Sequence, residues 1–181
     1  MGTKFFYALA WTLCTAIFML LLYFTGYQTE KLATGQHLNW LGLLIPIALL
    51  YLGIKAVRDE KPAVAFTYGQ GVGAGMVISV FAALMGAIYN WFHFTFINTR
   101  FMDHTMDMIR EKWSAAGMSA AQMDRAEGIT RTMMSPIPQA LIGLLSTLII
   151  GLCISLIMAA ILKRDKPLPA AATPAPTPPP A

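Results

Sequence analysis

The chain has 181 residues, of which 56% are hydrophobic and only 12% charged, and it carries a formal net charge of +4. So little charge cannot clothe a soluble domain of this size, which makes the lipid bilayer its first partner. The basic excess flanks apolar runs instead of clustering among aromatics, which excludes nucleic acid, and Cys14 and Cys153 lie inside apolar runs, which excludes a disulfide framework.

The first apolar run, 5–27, follows Lys4 and holds no charge. At about 1.5 Å per residue it covers the ~30 Å hydrocarbon core. It exceeds the apolar core of a cleavable signal and lacks a small-x-small site before Gln28, so an uncleaved anchor is expected. A polar connection, 28–37, leads to a second span at 38–57, which begins near Trp40 and ends at Lys55 and Arg58. Pro46 inside it removes a backbone donor and predicts a kink.

After the charged turn Arg58-Asp59-Glu60-Lys61-Pro62, the third span runs over 68–98. It opens on the alternate glycines Gly69, Gly71, Gly73 and Gly75 and closes on Tyr89-Asn90-Trp91-Phe92-His93-Phe94. Small residues suit close helix contact and amphipathic aromatics suit a membrane boundary. The remaining spans are expected to pack around this one.

The largest polar piece, 99–135, balances Arg100, Arg110, Lys112, Arg125 and Arg131 against Asp103, Asp107, Glu111, Asp124 and Glu127. Phe101, Thr105, Met108 and Ile109 keep helical spacing, so the third helix is expected to run on towards Gly117. Ser119-Ala120-Ala121-Gln122 has the form of a capping box, with Met118 and Met123 at the staple positions of a second loop helix. Ser135-Pro136 marks an N-cap and first position for a fourth span, 136–162, which Lys163-Arg164-Asp165-Lys166 stops. The tail, 167–181, is proline, alanine and threonine, and is expected to be disordered and cytoplasmic.

Lys4, Lys55, Arg58, Lys61, Lys163, Arg164 and Lys166 fall on one side and Lys31 on the other, so both termini are expected in the cytoplasm. Cys14 and Cys153 then lie at similar depth, and the thiols would meet if the first and fourth helices touch.

Two stripes of small residues stand out. Gly71, Gly75, Ser79, Ala82 and Gly86 share one face of the third span, and Gly143, Thr147, Gly151, Ser155 and Ala159 share one face of the fourth. Such faces let two backbones approach closely in lipid, and these two helices are expected to form the tightest pair. Continuing the first stripe reaches Asn90 and His93, which makes them the candidate polar site, aimed into the bundle near its outer edge where an imidazole can be wet.

Other chemistry is thin. Asp103, Asp107 and Glu111 form an acidic helical line from which His104 is rotated by about a hundred degrees, the pattern of a solvated face pairing with Arg100 and Arg110 and not of a metal site. Gly69-Gln70-Gly71-Val72-Gly73-Ala74-Gly75 lacks the Gly-Lys-Ser/Thr ending of a phosphate loop, and Met76 stands where a dinucleotide motif needs glycine. No catalytic, cofactor-binding or metal-binding residue is assigned, and no enzyme activity is expected.

Gly53-Ile54-Lys55-Ala56-Val57-Arg58-Asp59, Tyr68-Gly69-Gln70-Gly71, Gly117-Met118-Ser119 with Gln122-Met123, and Ser155-Leu156-Ile157 through Lys163-Arg164 together carry a family likeness. Over nearly the whole chain except the tail, the sequence resembles the bacterial inner-membrane proteins of domain of unknown function 4199. The resemblance implies four spans in a bacterial inner membrane and no known activity. The expectation is an all-α membrane protein, a four-transmembrane-helix bundle with a short helical extracytoplasmic loop between helices 3 and 4. It is expected to serve a membrane complex as an accessory or assembly component through protein partners or self-association. A small-solute or ion transporter or pore, acting as an oligomer, is the alternative.

Overall fold

The computed structural model describes residues 2–164; the proline-rich tail lies outside them. The protein is an all-α membrane protein, with four helical segments long and apolar enough to cross a membrane: Gly2–Phe24, Leu32–Asp59, Tyr68–Ile97 and Pro136–Leu162. The first is helix α1 (Gly2–Phe24). The second is composite: α2 (Leu32–Leu38), a 3₁₀ segment (Asn39–Leu43) and α3 (Leu44–Asp59). Pro46 therefore stands in the first turn of α3, and the change from 3₁₀ to α geometry falls just before it, near the middle of the span.

The third span is α4 (Tyr68–Phe92) followed by one π-helical segment (His93–Ile97). The chain then leaves helical geometry at Asn98, with φ −108° and ψ 61°. The expected run-on towards Gly117 is thus interrupted, and α5 (Phe101–Ala115) is a separate helix. The helical spacing of Phe101, Thr105 and Met108 belongs to α5 alone. Gly117 takes φ +77°, a left-handed turn that favours glycine, and redirects the chain into α6 (Ala120–Met133). Helix α7 (Pro136–Leu162) returns through the bundle.

Caps fix these starts. Gln122 Oε1 accepts the Ser119 amide at 3.0 Å. A second box opens α4: the Gln70 amide donates to Thr67 Oγ1 at 3.3 Å and the Thr67 amide to Gln70 Oε1 at 2.9 Å. Ser135 caps α7 in extended geometry ahead of Pro136, but its hydroxyl donates backwards to the Thr132 carbonyl at 2.8 Å.

Helix α4 is the hub. It packs on α7 more extensively than any other pair does, and it also meets α1 and α3. One core joins Ala8, Trp11, Leu50, Ile78, Ala82 and Ile154; a smaller one joins Ile54, Phe66, Ala74 and Leu162. The start of α1, the end of α7 and the α3–α4 connection share one end of the bundle, here called proximal, where Thr3 meets Glu60 and where Phe66 and Arg164 exchange backbone hydrogen bonds of 2.8 and 3.0 Å. The opposite, distal end carries α2, α5 and α6.

Candidate functional site: the α4–α7 seam and the distal polar cleft

The seam between α4 and α7 is set by side-chain size. A Cβ added at Gly71 would stand 2.8 Å from Ala159 Cβ, one at Gly75 would stand 2.7 Å from Ser155 Cβ, and one at Gly151 would stand 2.5 Å from Ser79 Cβ. None of these separations is tolerable between carbons, so hydrogen is the only side chain that fits those glycines without a shift. The pairs step by four residues on each helix in opposite directions, the register of antiparallel partners. Ala82 is buried one turn further on. Gly53 of α3 comes as close from another side, with a Cβ there reaching 2.7 Å from Ile78 Cδ1 and 3.1 Å from Tyr7 Cβ. That glycine, inside an otherwise apolar run, was a readable signal of close approach that the two stripes overshadowed.

Distally the seam parts. A Cβ at Gly86 would meet nothing within 4 Å, and Gly86 and Thr147 border a small cavity of about 60 Å³. Asn90 lies further along, half-buried, with Nδ2 only 2.9 Å from the position a Gly143 Cβ would take. Asn90, Gly143 and Thr147 also line a larger cleft of about 720 Å³ that reaches from Trp11 to Gln28, Gln36 and Thr105.

His93 sits beside this cleft and is fully buried, not wet. The π turn and the 25–31 connection close over it. Its Nε2 lies 3.0 Å from Gln28 Oε1 and its Nδ1 lies 3.2 Å from Tyr89 Oη, while Tyr89 Oη is also 3.1 Å from the Ala16 carbonyl. Asn98 Nδ2 donates to Gln28 Oε1 at 3.3 Å. With Gln28 Oε1 accepting, a neutral His93 carries its proton on Nε2 and offers Nδ1 to Tyr89. The single phenol proton is then shared between Nδ1 and the Ala16 carbonyl. Gln28 and Asn98 were absent from the sequence-derived site because Gln28 reaches it from a distant connection, whereas Tyr89, four residues before His93 on the same span, was a readable neighbour.

The loop helices are tied by ions. Glu127 takes Arg110 and Arg131, the latter at 2.7 Å, and Arg131 also reaches Asp103 at 3.2 Å. The acids therefore pair across the α5–α6 hairpin and not along the line formed by Asp103, Asp107 and Glu111. The hydrogen bond from Arg131, helped by the charge of Arg110, holds the Glu127 carboxyl below the usual glutamate range. Among the described residues no cluster of three metal-ligating side chains is present, and Cys14 and Cys153 are free and exposed.

The family described as protein of unknown function (DUF4199) matches residues 7–164, and the chain belongs to it. Neither a curated protein nor a solved structure matches the chain.

Proposed function

We propose that this is a non-enzymatic, multi-pass protein of the bacterial inner membrane, with both termini in the cytoplasm, that acts as an accessory or assembly component of a membrane complex. The observation that carries the reading is the packed layer between the distal cleft and a proximal recess of about 540 Å³ beside Lys4, Arg58 and Ala74. Leu50, Ile54, Ile78 and Ala159 fill it, each fully buried, so one chain offers surfaces and a recess instead of a path across the bilayer. The tight α4–α7 contact, read as small-xxx-small packing, is used within the chain and gives a stiff scaffold. Ile129 and Met133 remain exposed on α6 and suit a partner at the distal face. Lys4, Lys55, Arg58, Lys61, Lys163 and Arg164 gather at the end where α1 begins and α7 ends, which supports the orientation.

The test is the mass of the intact assembly after gentle extraction through a C-terminal tag. Other subunits at a fixed ratio are expected. A homo-oligomer alone would move the second reading, a small-solute or ion transporter or pore, to the front. The polar cleft beside Asn90 and His93 favours that second reading, and liposome flux lost in Asn90→Ala or His93→Ala would establish it.

A further inference from the structure

The alternate glycines that open α4 divide into two pairs. Gly71 and Gly75 are closed over by α7, whereas a Cβ added at Gly69 or Gly73 would meet nothing within 4 Å. Gly73 shares a face of α4 with Val80 and Leu84, which are exposed within the span and so turn towards lipid. It also lines the proximal recess of about 540 Å³, which therefore opens sideways onto that lipid-facing side. The other walls come from the first turn of α1, the end of α3 and the connection into α4. The recess thus sits at the ends of three spans, the level at which lipid head groups lie.

Charge selects the occupant. Lys4, Arg58 and Lys61 line the recess against Glu60 alone. Arg58 is held by Asp59 at 2.8 Å, and Glu60 accepts from Thr3. Lys4 and Lys61 form no ion pair among the described residues, and Lys4 is half-buried. A cation partly withdrawn from water is destabilising until an anion meets it. Gln70 adds a neutral donor: its Oε1 accepts the Thr67 amide, which leaves the Nε2 hydrogens for a ligand. The rest of the wall is apolar and includes Val57, Phe66 and Ala74. An anionic head joined to apolar chains matches both halves of this lining, whereas an ammonium head would meet three cations for one acid.

We propose that the proximal recess binds the head of one anionic phospholipid, on whichever side of the membrane this end faces. The phosphate takes Lys4, Lys61 and the Gln70 amide as its donors, and the hydroxyls of a glycerol head donate to Glu60. The acyl chains leave past bare Gly73 along the face of Val80 and Leu84. Glycine at that opening lets a chain lie directly against the helix backbone. A free phosphate ester would satisfy the same cations but would leave the opening at Gly73 unused.

The experiment uses the full chain in phosphatidylcholine nanodiscs that carry a small share of phosphatidylglycerol with a diazirine on its acyl chain. Crosslinking is read as unlabelled lipid is added, and labelled peptides are mapped by mass spectrometry. Saturable labelling of the first half of α4 is expected, displaced by phosphatidylglycerol and not by phosphatidylcholine or soluble glycerol phosphate. Lys4→Gln with Lys61→Gln should weaken binding about tenfold or more. Lys55→Gln with Lys163→Gln removes the same charge from the same end but outside the recess, and should weaken it less than about threefold. Gly73→Leu enters open space, so the fold is kept, and it should plug the side opening and abolish saturation. Thermal unfolding in phosphatidylcholine alone checks that each variant folds. Added phosphatidylglycerol should then raise the wild-type midpoint and leave that of the Lys4, Lys61 variant in place. Labelling spread evenly over all four spans would overturn the proposal, as would equal weakening by the two lysine pairs, which marks diffuse surface attraction. Indifference to Gly73→Leu, or displacement by soluble glycerol phosphate at equal concentration, would overturn it too.

Discussion

His93 Nε2 lies 3.0 Å from Gln28 Oε1 across 65 positions of sequence, and both side chains are buried. This bond ties the end of the third span to the connection leaving the first. His93→Leu leaves Gln28 with Asn98 alone, and Gln28→Leu leaves an imidazole N–H without an acceptor. Each single change should cost about 1–3 kcal/mol, because a buried polar group is stranded. The double change should cost less than the sum by about 0.5–2 kcal/mol, since the two act as a pair. Unfolding in mixed micelles measures the cycle. Additive losses would mean that the bond itself contributes nothing.

The seam predicts opposite outcomes for glycines that look alike in sequence. Gly75→Ala and Gly151→Ala each drive a methyl into the facing serine and should destabilise by about 1–3 kcal/mol through overpacking. Gly86→Ala meets open space and should be neutral or stabilise by up to about 1 kcal/mol, through reduced freedom of the unfolded chain. Thermal stability in one detergent separates them. Equal gains at all three sites would show that helix propensity, and not contact, governs these positions.

The four-helix class was legible because long uncharged runs have few other stable forms, and the helix period placed Gly71, Gly75 and Ser79 on one face before any partner was known. The end of α4 was harder. The sequence offered Phe101, Thr105 and Met108 at helical spacing with no proline or glycine before them, yet the chain turns at Asn98, whose side chain bonds to Gln28. Tertiary contact, not local preference, places that break. The Thr67-x-x-Gln70 box was readable and was passed over in favour of the glycines beside it. The Tyr89–His93 spacing was local, but the rest of the polar network and the cleft were not readable, because Gln28 meets His93 and Asn98 only once distant parts of the chain converge.

Arg164 pins the proximal connection. Its Nη2 donates to the carbonyls of Lys61 at 2.9 Å, Arg58 at 3.2 Å and Val64 at 3.4 Å, while its backbone pairs with Phe66. Its Nη1 meanwhile stands 3.7 Å from Asp59 Oδ1, so the fork of the guanidinium spans a carboxylate and the carbonyls at once, which the single nitrogen of an ammonium does poorly. Arg164→Ala should therefore speed hydrogen exchange through 61–66 about tenfold or more, and Arg164→Lys should restore little of the protection. Distal helices α5 and α6 should exchange as before. Full rescue by lysine would show that charge alone holds the connection.

The α5–α6 hairpin should loosen in acid, and the direction follows from Glu127. Its carboxyl is held below the ordinary glutamate value, about 4.3, by the hydrogen bond from Arg131 and the charge of Arg110. A carboxylate whose folded pKa is depressed stabilises the folded form fully above its unfolded pKa, and that stabilisation is lost as pH falls through the folded value. Lowering the pH from neutrality through the carboxylate range should thus lower the protection of the α6 amides, taken relative to the intrinsic exchange rate at each pH, while α4 and α7 keep theirs. Glu127→Gln should show the low, acid-like protection already at neutral pH and a flatter protection profile with pH. High salt should shift the wild-type protein the same way, because these ion pairs are exposed enough to be screened. A pH profile unchanged by Glu127→Gln would show that this carboxylate does not carry the acid response of the hairpin.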